Sequence, residues 1–271
     1  MLELFRGFNL PVITITGIKY LDELTTEDEV LVQNGVFKRV VNIEKREYSG
    51  RYLQFRTSFC NYAMPVLAWQ SIYVSKFRED LILDDKHRFD WIRGKKIRDG
   101  LNYVIINNKI YDERIKYEYD SQECWEDFVN EIISLKKDVL DDYKLPVWLY
   151  TAPKFVKTEV VKCLLKALEG INIKSERFAL FVWHLSFIAG NPVRLYKSRN
   201  GDYFLNRDKV VTYKDYFYNN ELTSILIKEK DVKYFKGEYT SIEVDGEHNF
   251  VTPFGTFWDN RRDILLNKIM V

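Results

Sequence analysis

Histidine and cysteine, central to chemistry near neutral pH and to covalent cross-linking, are scarce. The chain of 271 residues holds three histidines, three cysteines and three methionines. So few imidazoles leave little scope for acid–base work around pH 7. Cys60, Cys124 and Cys163 are odd in number and far apart, which argues against a disulfide framework and against a zinc site. No apolar run approaches the roughly 20 residues that span a bilayer, so no membrane partner is expected. The start, MLELFRGFNLPV, lacks the basic stretch and apolar core of a secretory leader. An intracellular, non-secreted protein is the reading that follows. One sign of charge is not in excess either: 41 basic residues face 40 acidic ones, which removes any global electrostatic case for nucleic acid.

What is present in quantity is aromatic. Eighteen tyrosines and eighteen phenylalanines favour sheet, because such side chains suit a pleated, half-buried surface. Residues 10–110 read as short strands. VITIT, EVLV, FKRVVNI, YLQFRTSF, VLAWQSIYV and YVIINNKI alternate in the period-two manner. Asn34-Gly35 between EVLV and FKRVV predicts a hairpin with a type I′ turn, and turns are expected at Asn200-Gly201 and Asp245-Gly246. Beyond residue 112 the period changes. Trp125 to Leu140 approximates an amphipathic helix, a second helix is expected from about Thr158 to Leu168, and a third starts after Ser175 as N-cap and stops at Gly190. Strands resume with VRLYKS, DYFLN, TSIEV and HNFVT. The order is β, then mixed α/β, then β, as when a block is inserted into one β domain. No internal repeat is visible.

Charge divides within that block. Residues 111–143 carry 11 acidic and 4 basic side chains, and residues 144–236 carry 17 basic and 9 acidic. Mutual neutralisation within the fold is one reading. A basic surface for nucleic acid or an acidic protein is the other.

The run TSIEVDGEHNFVTPFGTFWDN, residues 240–260, resembles the C-terminal splicing motifs of the Hedgehog/intein (Hint) superfamily, whose pattern is an apolar strand, an acidic turn, His-Asn-Phe-Val, a glycine and a terminal His-Asn. LPVITITGIKYLDELTTEDEVLVQNGVFKRVVNI, MPVLAWQSIYV and FDWIRGKKIRDGLNYVII are similar to the family's N-terminal motifs. KLPVWLYTAPKFVKTEVVKCLLKALEG with INIKSERFALFVWHLSFIAGNPVRLY looks like one half of a LAGLIDADG homing endonuclease. The resemblance implies a mostly-β, horseshoe-shaped intein-like domain from residues 1–110 and 237–271. It also implies an inserted α/β subdomain, a partial endonuclease remnant, over 111–236.

By the same resemblance the splicing chemistry is gone. The nucleophile's position falls at Phe5, which has no nucleophilic atom, and Phe8, Asn9 and Leu10 replace the small and polar residues that follow. The family's activating His is Gln70, which cannot titrate, and the Thr three residues earlier is Leu67. The His before the terminal Asn is Asp259, and the acceptor after it is Arg261. His248 and Asn260 survive. The plain reading of His248 is a buried histidine bridging two strands, and of Asn260 a turn residue. In the endonuclease remnant the metal-binding carboxylate corresponds to Glu169-Gly170, read as an ordinary polar residue at a helix end, with no metal or other cofactor expected. His184, among Phe181, Trp183, Leu185 and Phe187, reads as a satisfied core histidine.

The expectation is a non-enzymatic protein, a splicing-inactive scaffold that meets protein partners in an assembly. Intein-like modules are frequent in large DNA viruses, so a virus particle is one concrete setting, with a virion location in that case. A second expectation is residual nucleic-acid binding through Lys197, Arg199, Arg207, Lys209 and Lys214, with Tyr196, Tyr203 and Tyr213 able to stack. A third is slow autoprocessing by cyclisation of Asn260, releasing the tail after it.

Overall fold

The computed structural model describes residues 8–77, 87–111, 127, 130, 148–206, 216–218 and 222–258. Among the described residues, fourteen strands and three continuous α-helices run in the order β1 (Pro11–Thr14), β2 (Gly17–Tyr20), β3 (Glu29–Leu31), β4 (Phe37–Thr57), β5 (Cys60–Leu67), β6 (Ser71–Phe77), β7 (His87–Arg93), β8 (Asn102–Asn107), α1 (Trp148–Thr151), α2 (Lys154–Ala167), α3 (Glu176–Ile188), β9 (Arg194–Lys197), β10 (Tyr203–Asn206), β11 (Tyr216–Tyr218), β12 (Leu222–Val244), β13 (Asn249–Thr252) and β14 (Gly255–Trp258). The chain is mostly β, as its composition implied. The helix expected over 125–140 lies outside the described residues, except that Asp127 and Asn130 are helical.

All the described strands join one sheet, with the central order β10-β9-β5-β4-β12-β8-β6-β14-β13. Named-strand pairings are antiparallel except Cys60 opposite Leu195. The spine is the antiparallel pair β4–β12, running from Ile227 opposite Thr57 to Val244 opposite Val40. Strands of 21 and 23 residues would extend roughly 70 Å if straight, at about 3.3 Å per residue. They bend instead, with register shifts at Ile227/Glu229 and Glu243/Val244 that increase the local twist. The charged middles, NIEKREYSGR and KDVKYFKGEY, show no apolar alternation and do not read as strand. There the ribbon has no third strand; aromatic rings cover one face around Gly50 and Gly237, while residues 231–234 are exposed.

The turns at Asn34-Gly35, Asn200-Gly201 and Asp245-Gly246 form, but the hairpin at Asn34-Gly35 is not of type I′. Among the described residues no non-glycine has positive φ, so Asn34 cannot take the first position of such a turn. Instead the Gly35 N–H donates to the Val32 carbonyl at 2.9 Å, and the glycine alone, at φ +87°, takes the left-handed position.

A local repeat that the sequence hides is plain in the structure. A 3-10 turn at Leu21–Glu23 leads into β3, and the Thr25 N–H donates to Asp28 Oδ2 at 2.8 Å. A 3-10 turn at Gly94–Lys96 leads into β8, and the Arg98 N–H donates to Asn102 Oδ1 at 2.7 Å. β3 then returns through a short turn into β4, whereas β8 returns into β12 only after the segment 108–221. Residues 222–236, expected within the inserted block, therefore belong to β12 and pair with β4 and β8.

The helical segment shares its core with the sheet. Helix α3 is capped by Ser175, whose side chain accepts from the Phe178 N–H at 3.2 Å. It ends where Gly190 and Asn191 donate to the Phe187 and Ser186 carbonyls. Every residue from Phe178 to Ile188 is buried, as an apolar-all-round helix must be. Phe187 meets Phe59 edge-on at 5.4 Å, and Trp183 meets Phe254 at 5.2 Å. Helix α2 starts at Lys154, one turn earlier than expected, directly after Pro153. Among the described residues no helix is long and apolar enough to cross a membrane.

Candidate functional site

Two remote parts of the chain meet on the middle of the β4–β12 ribbon, and a third pairs with the strand that follows one of them. Phe8 makes a parallel bridge to Tyr239. Gln70, in the turn between β5 and β6, is buried, its N–H donating to the Leu67 carbonyl at 3.0 Å and its carbonyl accepting from the Gly94 N–H at 2.8 Å. The last described strand, β14, lays Trp258 opposite Ser71, the residue after Gln70. Phe5, Asp259, Asn260 and Arg261 lie outside the described residues.

Aromatic rings fill the meeting place. Phe8, Tyr52, Leu67 and Tyr239 form a buried cluster, with Tyr48, Trp69 and Phe235 packed against it. The Phe8 ring stands edge-on to Phe235 at 4.6 Å and to Tyr52 at 4.9 Å. Two glycines make the floor. Gly50 lies opposite Phe235, and Gly237 opposite Tyr48. A methyl group on Gly50 would fall 2.7 Å from Tyr48 Oη, and one on Gly237 2.7 Å from Phe235 Cζ. Each ring thus lies along its own strand over a bare glycine, and Tyr48 Oη donates to the Arg51 carbonyl at 2.6 Å. Phe8 and Leu67 were singled out from the sequence, but the ribbon residues were not, though their pattern was there: Tyr48-Ser-Gly50-Arg-Tyr52 and Phe235-Lys-Gly237-Glu-Tyr239 share aromatic-x-Gly-x-Tyr.

His248 is not the buried bridge expected. It is exposed in the bend before β13. The inward polar residue is its neighbour Asn249, whose Oδ1 accepts from the Gln33 N–H at 2.7 Å and whose Nδ2 donates to Glu247 at 3.0 Å. His184 is in the core as expected, but neither ring nitrogen has a hydrogen-bond partner. Burial, and then the charge of Lys157, push it down to about 3, so the imidazole is neutral. Burial likewise pushes the Cys60 thiol up to about 12, which keeps it protonated and poorly nucleophilic. Glu169 is exposed at the end of α2, with Gly170 following at φ +71°. Among the described residues no group of three or more His, Cys, Asp or Glu side chains could hold a metal ion.

Of the basic residues expected to meet nucleic acid, Arg207, Lys209 and Lys214 lie outside the described residues, as does Tyr213. Arg199 is exposed in the β9–β10 turn. Lys197 is engaged within the molecule: its ammonium lies 4.8 Å from the Tyr62 ring centre, 5.2 Å from that of Tyr203, and 3.9 Å from Glu176. Tyr203 is buried and donates to Glu176 at 2.6 Å, which removes it as a stacking platform.

No protein-family model matches the chain, and no curated protein matches it in sequence.

Proposed function

We propose that this chain is a splicing-inactive relative of the Hint superfamily, a horseshoe-like β framework carrying an endonuclease-like insertion, which serves as a non-catalytic scaffold. Its partners are other proteins of a larger assembly, such as the particle of a large DNA virus. The carrying observation is the aromatic filling where Phe8 and the turn carrying Trp69 and Gln70 meet the β4–β12 ribbon. A reaction centre of acyl-shift type needs a nucleophile and a proton carrier there. The described residues offer Phe8, Leu67, Tyr52 and Tyr239 with a buried Gln70 instead, a set that packs rather than titrates. The long β4–β12 pair, which joins the two ends of the sequence, further supports the framework.

The test is purification from the native source with identification of co-purifying components. The scaffold reading expects a stable complex with one or more proteins; a protein recovered alone and monomeric counts against it. Intact mass after prolonged incubation decides autoprocessing: the unaltered chain is expected, and loss of the tail after Asn260 would restore a chemical role. A mobility-shift titration at low salt is expected to stay flat. Salt-sensitive DNA binding would return the function to the basic half of the insertion.

A further inference from the structure

We propose that Tyr62, Tyr203 and Glu176 form an ammonium-recognition cage for a methylated lysine side chain of a partner protein, a cage that the chain's own Lys197 occupies in this structure. The walls come from three separate elements: Tyr62 from β5, Tyr203 from β10 and Glu176 from the first turn of α3. Two aromatic faces and a carboxylate around one cation are the elements by which proteins hold alkylated ammonium groups. Each wall is fixed. Tyr62 is backed by Phe254, stacked at 5.9 Å, and Tyr203 is buried and tied through its hydroxyl to Glu176 Oε2. The same carboxylate is also hydrogen-bonded by the Tyr20 hydroxyl, and its second oxygen, Oε1, is buried.

The occupant is less fixed than the cage. Lys197 and Glu176 side chains are 36% and 24% exposed, so the mouth opens to solvent. The position of Lys197 depends on its backbone, not on its ammonium. Asn61 grips that backbone from β5, accepting from the Lys197 N–H at 2.8 Å and donating to its carbonyl at 3.3 Å. Truncating the side chain therefore empties the cage without removing what shapes it. A lysine side chain already fits, and methylation favours the aromatic walls because it spreads the charge and weakens hydration of the ammonium. The inference rests on this geometry and not on the intein resemblance.

The test uses the full chain and tyrosine-ring NMR. Tetramethylammonium chloride, with sodium chloride as matched control, probes the cage, and a short peptide with one trimethyllysine, against the same peptide with plain lysine, probes the partner chemistry. Lys197→Ala is expected to bind tetramethylammonium roughly tenfold tighter than the parent chain. Adding Tyr62→Leu or Glu176→Gln to Lys197→Ala is expected to abolish that gain. The trimethylated peptide is expected to bind the parent chain more tightly than the plain one. Three results would overturn the proposal. One is no saturable binding by a Lys197→Ala chain whose circular dichroism matches the parent; Lys197→Met repeats this arm should alanine unfold the chain. Another is binding that ignores Tyr62→Leu. The third is phosphocholine binding more tightly than the trimethylated peptide.

Discussion

Lys157 and His184 show how a single buried group governs stability across pH. The Lys157 side chain is buried in α2, where its ammonium donates to the Tyr150 carbonyl at 2.7 Å. Burial pushes it down to about 8 from an ordinary 10.5. Between those values the unfolded chain holds more protons than the folded one, so stability rises with pH across that window. Lys157→Met is expected to remove the rise and to stabilise the protein at pH 7 by roughly 1–3 kcal/mol, since an apolar isostere avoids the desolvation of a buried charge. Urea denaturation at pH 7 and at pH 10 checks both. His184 acts on the acid side. Its folded value near 3 lies below the ordinary 6.5, so stability falls as pH drops from 6.5 toward 3. The slope reaches about 1.4 kcal/mol per pH unit where the unfolded imidazole is charged and the folded one is not. His184→Leu is expected to lose that part of the acid slope. An unchanged slope would mean that the imidazole finds a proton acceptor when charged.

The ribbon is the element on which the candidate site stands, and its glycines set its shape. Gly237→Val places a branched side chain where the Phe235 ring lies, 2.7 Å from the first methyl position. The ring must swing away from Phe8 and Tyr52, so a loss of roughly 1–3 kcal/mol is expected. Adding Phe235→Ala to Gly237→Val should cost less than the two single losses combined, because the clash vanishes with the ring. Additive losses in denaturation would mean that the ring does not rest on the glycine. This element also separates what could be read from sequence from what could not. The ends of β4 and β12, FKRVVNI, YLQFRTSF and TSIEV, alternate because one face meets the core, and they were legible. The middles were not, because aromatics and glycine alternate on their covered side and the exposed side mixes charges with Val232 and Tyr234. The N-cap Ser175 and the stop at Gly190 follow local chemistry and were legible too. The burial of Asn249 in place of His248 was not, since only the contact with Gln33, 216 residues away in sequence, decides it.

At the scale of the whole molecule, topology and energetics divide the chain differently. Strands β8 and β12 bracket the helical segment just as β3 and β4 bracket a short turn, so the path of the chain alone makes residues 108–221 removable. The core contradicts this. Phe59 and Phe254, in the turns that join β4 to β5 and β13 to β14, and Thr223 of β12 meet Phe187, Trp183 and the Phe187 carbonyl of α3, and the four rings lie within one continuous apolar cluster. Cutting out 108–221 and joining β8 to β12 by a five-residue turn would leave the apolar face beneath α3 uncovered. Burying one large apolar side chain contributes roughly 1.5–3 kcal/mol, and whole domains are stable by only about 5–15 kcal/mol. Losing several such contacts at once removes most of that margin. The shortened chain is therefore expected to keep β-type far-ultraviolet circular dichroism, to lose its near-ultraviolet aromatic signal, and to bind a hydrophobic dye. A shortened chain with cooperative unfolding and no dye binding would show instead that the sheet closes its own core, with α3 resting on a framework complete without it.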